Sequence, residues 1–127
     1  MLSEINCLKP GHFSWNELVT TDEAAASAFY TRLFQWTAEQ FGGGGQTYTL
    51  FKKGGRMVGG MMKCPKPGLP AHWLAHVTCE DVDAAVSQTA ALGGKILMAP
   101  FNVPTVGRIA ILLDPQGASL GLFKPLK

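Results

Sequence analysis

The sequence predicts an α+β protein in which one βαβββ-type module is written twice around a shared small-molecule cleft. Two observations carry this. Residues 14–26 read as an apolar strand, then Thr with an acidic residue, then an alanine-rich helix, and residues 72–85 repeat that order. Self-similarity at a fixed spacing is the mark of a repeated architecture. The ends of the two halves also match. Gly55 precedes Arg56, Met57, Val58, Gly59, Gly60 and Met61, and Gly117 precedes Ala118, Ser119, Leu120, Gly121, Leu122 and Phe123. Gly55 and Gly117 are 62 residues apart, as are Gly59 and Gly121, whereas the starts of the halves are 58 or 59 apart. The extra residues fall in the longer middle loop of the second half.

The first half opens with residues 13–20, whose Phe, Trp and Val in alternation suit a strand. Thr21 or Asp22 can cap the following helix by accepting an orphan backbone N–H. In that helix, at about residues 23–35, Ala26, Phe29, Tyr30, Leu33 and Phe34 fall on one face by their i, i+3, i+4 spacing. Residues 46–51 and 57–62 then read as a hairpin around Lys53, Gly54 and Gly55. A linker at residues 64–70 holds three prolines, which make it extended and stiff.

In the second half, residues 73–78 read as a strand. Residues 81–92 read as a helix with Val82, Ala85, Val86, Thr89 and Leu92 on one side. Gly93 and Gly94 end it, since glycine takes the left-handed cap without steric penalty. Residues 96–99, 108–113 and 119–123 are the remaining strands, and Asp114, Pro115, Gln116 and Gly117 form a turn. Residues 100–108 are expected to form a loop over the open side of the cleft, where binding residues are often carried.

Composition supports one ordered domain spanning residues 1–127. Apolar residues are 46% and charged residues only 16%, which excludes the low-hydrophobicity, high-charge pattern of disorder. The net charge of +2 gives no basic stripe, and Lys52, Lys53 and Arg56 read as a solvated turn, so no nucleic-acid partner is expected. No apolar run approaches the ~18 residues of a membrane span, and the first residues lack the pattern of a secretory signal. Cys7, Cys64 and Cys79 are scattered and form no CxxC pair, so they read as free thiols. Together these features predict a cytoplasmic protein without a membrane partner. The run Gly42, Gly43, Gly44, Gly45 reads as a flexible loop between strands. It lacks the Lys-Ser/Thr and the following helix that a phosphate loop needs.

The strand WNELVTTD at residues 15–22, the helix residues 24–30, LFQW at 33–36, VGGMM at 58–62, VDAA at 82–85 and DPQG at 114–117 resemble the vicinal oxygen chelate superfamily. That superfamily includes glyoxalase I, bleomycin-resistance proteins and extradiol dioxygenases. The likeness is greatest to small bacterial glyoxalase-like proteins. It covers roughly residues 10–125, with module one at about 10–63 and module two at about 71–125. It implies curved sheets forming an incomplete mixed β-barrel, open on one side, and members of the superfamily often form dimers.

The resemblance also implies a divalent metal held by about four His, Glu or Gln side chains. Its first-strand ligand falls seven residues before the helix-capping acid, which here gives Trp15 and Leu74. Its last-strand carboxylate falls seven after the turn aspartate, which gives Gly121, with Gly59 as repeat mate. None of these side chains can bind a metal, so no metal and no cofactor are expected. His12, Glu17, His72 and His76 are left as material for a different metal site. Side chains two apart on a strand share a face, so Glu17 is expected beside Trp15 and His76 beside Leu74, at equivalent places in the two modules. A carboxylate beside an imidazole can form an acid–base pair, and Glu17 and His76 are the candidate catalytic residues. A simple buried ion pair satisfies the same pattern, and under an offset of 58 Glu17 pairs instead with Ala75. Trp15, Tyr48, Met61, Leu74, Phe101, Arg108 and Gly121 are the candidate ligand-binding residues. The expected function is metal-free binding of a small apolar or aromatic molecule. The alternatives are a lyase or isomerase of glyoxalase type, and an interaction module with a filled cleft.

Overall fold

The computed structural model describes residues 9–43, 46–103 and 106–126. In chain order the elements are β1 (Phe13–Thr20), α1 (Glu23–Phe34), β2 (Thr37–Gly43), β3 (Gln46–Lys53), β4 (Arg56–Lys63), β5 (His72–Thr78), α2 (Val82–Ala91), β6 (Lys95–Val103), β7 (Gly107–Leu113) and β8 (Ser119–Pro125). The protein is thus mixed α+β and contains two βαβββ modules. It forms two compact units, one of Asn16–Leu74 and the other of the residues up to Trp15 with those from Ala75 onward.

In the first of these units the strands run in the order β2-β3-β4-β1, and in the other β5-β8-β7-β6. Each set has one parallel pair, β1 with β4 and β5 with β8, and its remaining pairs are antiparallel. The antiparallel neighbours follow one another through short turns, whereas the parallel partners are separated by a crossover containing the helix. β2 and β6 are edge strands, and neither set of four closes on itself.

The two helices begin in the same way. Asp22 Oδ1 accepts the Ala25 N–H at 3.0 Å, and Asp81 Oδ1 accepts the Ala84 N–H at 3.0 Å. Both caps are extended, at φ −143°, ψ 96° and φ −145°, ψ 99°. The helices end differently. Gln35 takes the left-handed conformation after α1, while Leu92 and then Gly93, at φ 93°, follow α2. Between the modules, residues 64–71 are neither strand nor helix, as their prolines predict.

Each helix packs on one face of its sheet. In the first unit Leu18, Phe51 and Met61 form a buried cluster against Ala26, Tyr30 and Trp36. In the second, Val82, Ala110 and Leu122 cluster with Cys79, Ala85, Val86 and Leu112. The apolar stripe of α1 is wider than its core contact: Phe29, Leu33 and Phe34 remain exposed, and no α1 residue is fully buried.

Two expectations about elements are corrected, and one strand is added. β2 was not legible, because residues 37–43 lack a clean alternation; seven register pairs with β3 define it. Gly42 and Gly43 pair with Thr47 and Gln46 inside that hairpin, so only residues 44–45, outside the described residues, remain of the expected glycine loop. The expected loop at residues 100–108 is mostly strand. β6 continues through Pro100 to Val103, β7 starts at Gly107, and residues 104–105 lie outside the described residues. Pro100 is tolerated because β6 is an edge, where a missing ladder donor is affordable.

Candidate functional site

Register fixes which side chains share the sheet faces away from the helices. On β1, Trp15, Glu17 and Val19 point there, while Leu18 joins the helix-side core. Glu17 lies opposite Gly60 of β4, and Gly60 lies opposite Leu50 of β3, so the three form one row across the sheet. Tyr48 is two residues from Leu50 and shares its face. In the other unit His76 lies opposite Gly121 of β8, and Gly121 opposite Ile111 of β7. Glu17 and His76 therefore hold equivalent places in their modules, each facing a glycine of the module's last strand. The repeat mate of Gly121 is consequently Gly60. Gly59, predicted from the offset of 62, falls one residue away on the helix side, where the Trp73 ring approaches it.

Both glycines leave room for a polar ring. A Cβ on Gly60 would overlap the Tyr48 hydroxyl and lie 2.6 Å from its Cζ. A Cβ on Gly121 would overlap the His76 ring and lie 2.6 Å from its Cγ. Real carbon contacts are not that short, so a side chain at either place requires the ring to move.

Glu17 and His76 are both fully buried, at 0% exposure. Burial pushes the Glu17 carboxyl up to about 7, because the charged form loses its water. A hydrogen bond from Tyr48 opposes this by favouring the carboxylate. Around Glu17 the face is otherwise apolar, with Trp15, Val19 and Leu50 buried. Around His76 it carries Phe123, edge-on with ring centroids 6.5 Å apart, together with Ile109 and Ile111.

The remaining candidates divide. Trp15, Tyr48 and Leu74 are buried on the helix-free faces of their strands. Phe101 is half-buried and opposes Ile109, which opposes Phe123, so it belongs to the His76 face. Met61 does not belong to such a face. It packs with Leu18 and Phe51 beneath α1, because it is one residue out of phase with Gly60. Arg108 is likewise corrected: it points to the helix side, where Nε and Nη2 donate to Asp83 at 2.7 and 2.9 Å and Nη1 donates to Asn102 at 3.0 Å. This exposed clamp holds the Asp83 carboxyl below its usual range through the hydrogen bonds from Arg108. Its charge is already engaged by Asp83.

The donor set of the family's metal site does not fit these residues. Trp15, Leu74, Gly60 and Gly121 offer no ligand atom in their side chains, and the ring of His76 fills the space a carboxylate stem at residue 121 would need. His12 is exposed, and His72 Nδ1 donates to the Pro70 carbonyl at 2.9 Å. Among the described residues, no three His, Cys, Asp or Glu side chains gather as a cation site. Cys64 and Cys79 are free thiols, and burial pushes Cys79 up, away from a reactive thiolate. Cys7 lies outside the described residues. Lys52 pairs with Glu39 at 2.6 Å, and Lys53 Nζ donates to the last carbonyl of α1, on Phe34, at 3.0 Å, so the basic turn has structural partners. No helix among the described residues is long and apolar enough to cross a membrane.

The glycine-flanked strands, the repeated βαβββ order and the paired capping aspartates define the class. The chain belongs to the Glyoxalase/Bleomycin resistance protein/Dioxygenase superfamily, whose family model matches residues 9–122. It is 40% identical over 116 residues to a protein named putative glyoxylase CFP32 from Mycobacterium tuberculosis, covering 91% of this chain and 44% of that protein. It is 32% identical over 132 residues to the anthracycline biosynthesis protein DnrV of Streptomyces peucetius, covering 91% of this chain and 47% of that one. The chain thus spans just under half the length of these curated relatives. Among solved structures, the methylmalonyl-CoA epimerase of Mycobacterium tuberculosis superposes with a TM-score of 0.62 at 12% identity, over 98% of this chain and 96% of that one. At that identity the likeness speaks for the fold alone.

Proposed function

We propose that this protein binds a small apolar or aromatic molecule on the helix-free faces of its sheets, without the family's usual metal. The observation that carries the reading is a pair of chargeable side chains, Glu17 and His76, fully buried at matching places on otherwise apolar faces. A buried titratable group whose pKa is strongly shifted, as that of Glu17 is, marks a candidate functional site. Trp15, Leu74, Leu50, Phe101, Ile109 and Phe123 supply apolar and aromatic surface around Glu17 and His76. Such a mix, mostly apolar with a few placed polar groups, is what small-molecule sites are made of. The relative named for anthracycline biosynthesis supports the same ligand class, since an anthracycline contains a planar fused-ring chromophore.

The test is a thermal-shift screen with planar aromatic compounds, alongside elemental analysis of protein purified without chelators. A rise in Tm with at least one compound, on metal-free protein, is expected. Stoichiometric Zn, Ni, Fe or Mn would sink the metal-free reading, and no stabilisation by any compound would remove the ligand class.

A second reading is favoured by one observation. A carboxyl that ionises near pH 7 is matched to general acid–base work at physiological pH. Under it, Glu17 exchanges a proton with a bound carbonyl compound, as the acid–base group of a lyase or isomerase. Glu17→Gln then abolishes turnover, and full retained activity removes Glu17 from the mechanism.

A further inference from the structure

Tyr48 reaches across a whole strand. It stands on β3, Glu17 stands on β1, and β4 lies between them. Adjacent strands are about 4.8 Å apart, so the two backbones are separated by roughly 10 Å. A tyrosine and a glutamate can span that distance only if nothing rises from the strand between. The residue of β4 in line with Glu17 is Gly60, and the Tyr48 hydroxyl lies where a Cβ on Gly60 would stand. Glycine inside a strand weakens it and marks a close approach by another group. Here the approaching group is the tyrosine hydroxyl, itself buried in the row of Glu17, where it favours the carboxylate.

We infer that Tyr48 is a positioning residue for Glu17, and that Gly60 is the opening in β4 through which its hydroxyl holds the carboxyl. This deepens the reading of Glu17 as a working group and rests on it, but assigns Tyr48 a task other than direct ligand contact. Tyr48 is the titratable group that acts on the Glu17 carboxyl against the effect of burial. Gly60 and Leu50 complete its row, and Trp15 and Val19 flank it on β1; none of these carries an ionisable side chain.

The test reads the Glu17 carboxyl directly in ligand-free protein, by following its side-chain carbon signal with pH in wild type, Tyr48→Phe, Gly60→Ala and the double variant. Tyr48→Phe removes the hydrogen bond that favours the carboxylate, so the midpoint moves upward by roughly one pH unit. Gly60→Ala pushes the hydroxyl away and gives a shift in the same direction. The double variant adds little to either, because one contact is lost in both. A Glu17 midpoint unmoved by Tyr48→Phe overturns the inference, as does a Gly60→Ala shift that persists undiminished on top of Tyr48→Phe. If Gly60→Ala does not fold, Tyr48→Phe alone decides, since it removes one oxygen without changing the ring. Because no ligand enters the measurement, a failed ligand screen leaves this result standing, and a failed titration leaves the screen standing.

Discussion

The two modules solve the same folding problem with nearly the same parts and then diverge at one spot. Their helices start on equivalent aspartates, with cap angles within a few degrees of each other. Their parallel strands meet in the same register, Glu17 opposite Gly60 and His76 opposite Gly121. What covers the glycine differs. In module one the hydroxyl of Tyr48 comes over Gly60 from the neighbouring β3 and meets Glu17. In module two the ring of His76 covers Gly121 from β5, and the residue of β7 matching Tyr48 is Ile109. The scaffold is conserved between the halves because packing and capping demand it, whereas the polar centre is free to differ because only a missing side chain is required.

The largest effect expected from this difference is electrostatic and belongs to module one. The folded value of about 7 for Glu17 lies above the ordinary 4.5. Between those two values the folded protein holds a proton that the unfolded chain has released. Stability therefore falls as pH rises through about 4.5 to 7, and the loss is complete above that window. Glutamine is neutral throughout, so Glu17→Gln matches wild type below pH 4.5 and exceeds it above pH 7 by on the order of 3 kcal/mol. Urea unfolding at pH 4 and pH 8 measures both ends. A difference that does not grow with pH would show that burial does not hold the carboxyl neutral.

A smaller effect tests the occupant of the second glycine. Gly121→Ala forces the His76 ring aside in a packed face, and overpacking of this kind costs about 1–3 kcal/mol. In the His76→Ala background the added methyl has room, so the same substitution becomes close to neutral. Chemical denaturation of the four proteins forms a double-mutant cycle. Equal penalties in both backgrounds would show that the ring is not what fills the space.

The smallest effect probes what the modules share. Asp22→Ala and Asp81→Ala each remove one helix cap and cost about 1 kcal/mol. Because the caps have the same geometry, their losses agree to within about 0.5 kcal/mol. Thermal unfolding that separates them more widely would show that the two helices are not equivalent in energy.

The sequence by itself determined the repeat, the strand–helix–strand order and the helix boundaries to within a residue or two. These depend on local chemistry: alternation along a strand, an aspartate that caps, glycines that end a helix. It also placed Glu17 and His76 as counterparts, since side-chain direction along a strand follows its period of two. It could not place Met61, Arg108 or Gly59 on the correct face. Those faces depend on register between strands, where one residue of slip reverses every side chain. It missed β2, an edge strand given its shape by pairing with β3 and not by its own composition. Only the tertiary structure decided that the β4 glycine equivalent to Gly121 is Gly60, because what occupies its space is a side chain from a strand twelve residues away in sequence. The VGGMM motif was the visible signal, but a glycine states only that something comes close, and the fold names what does.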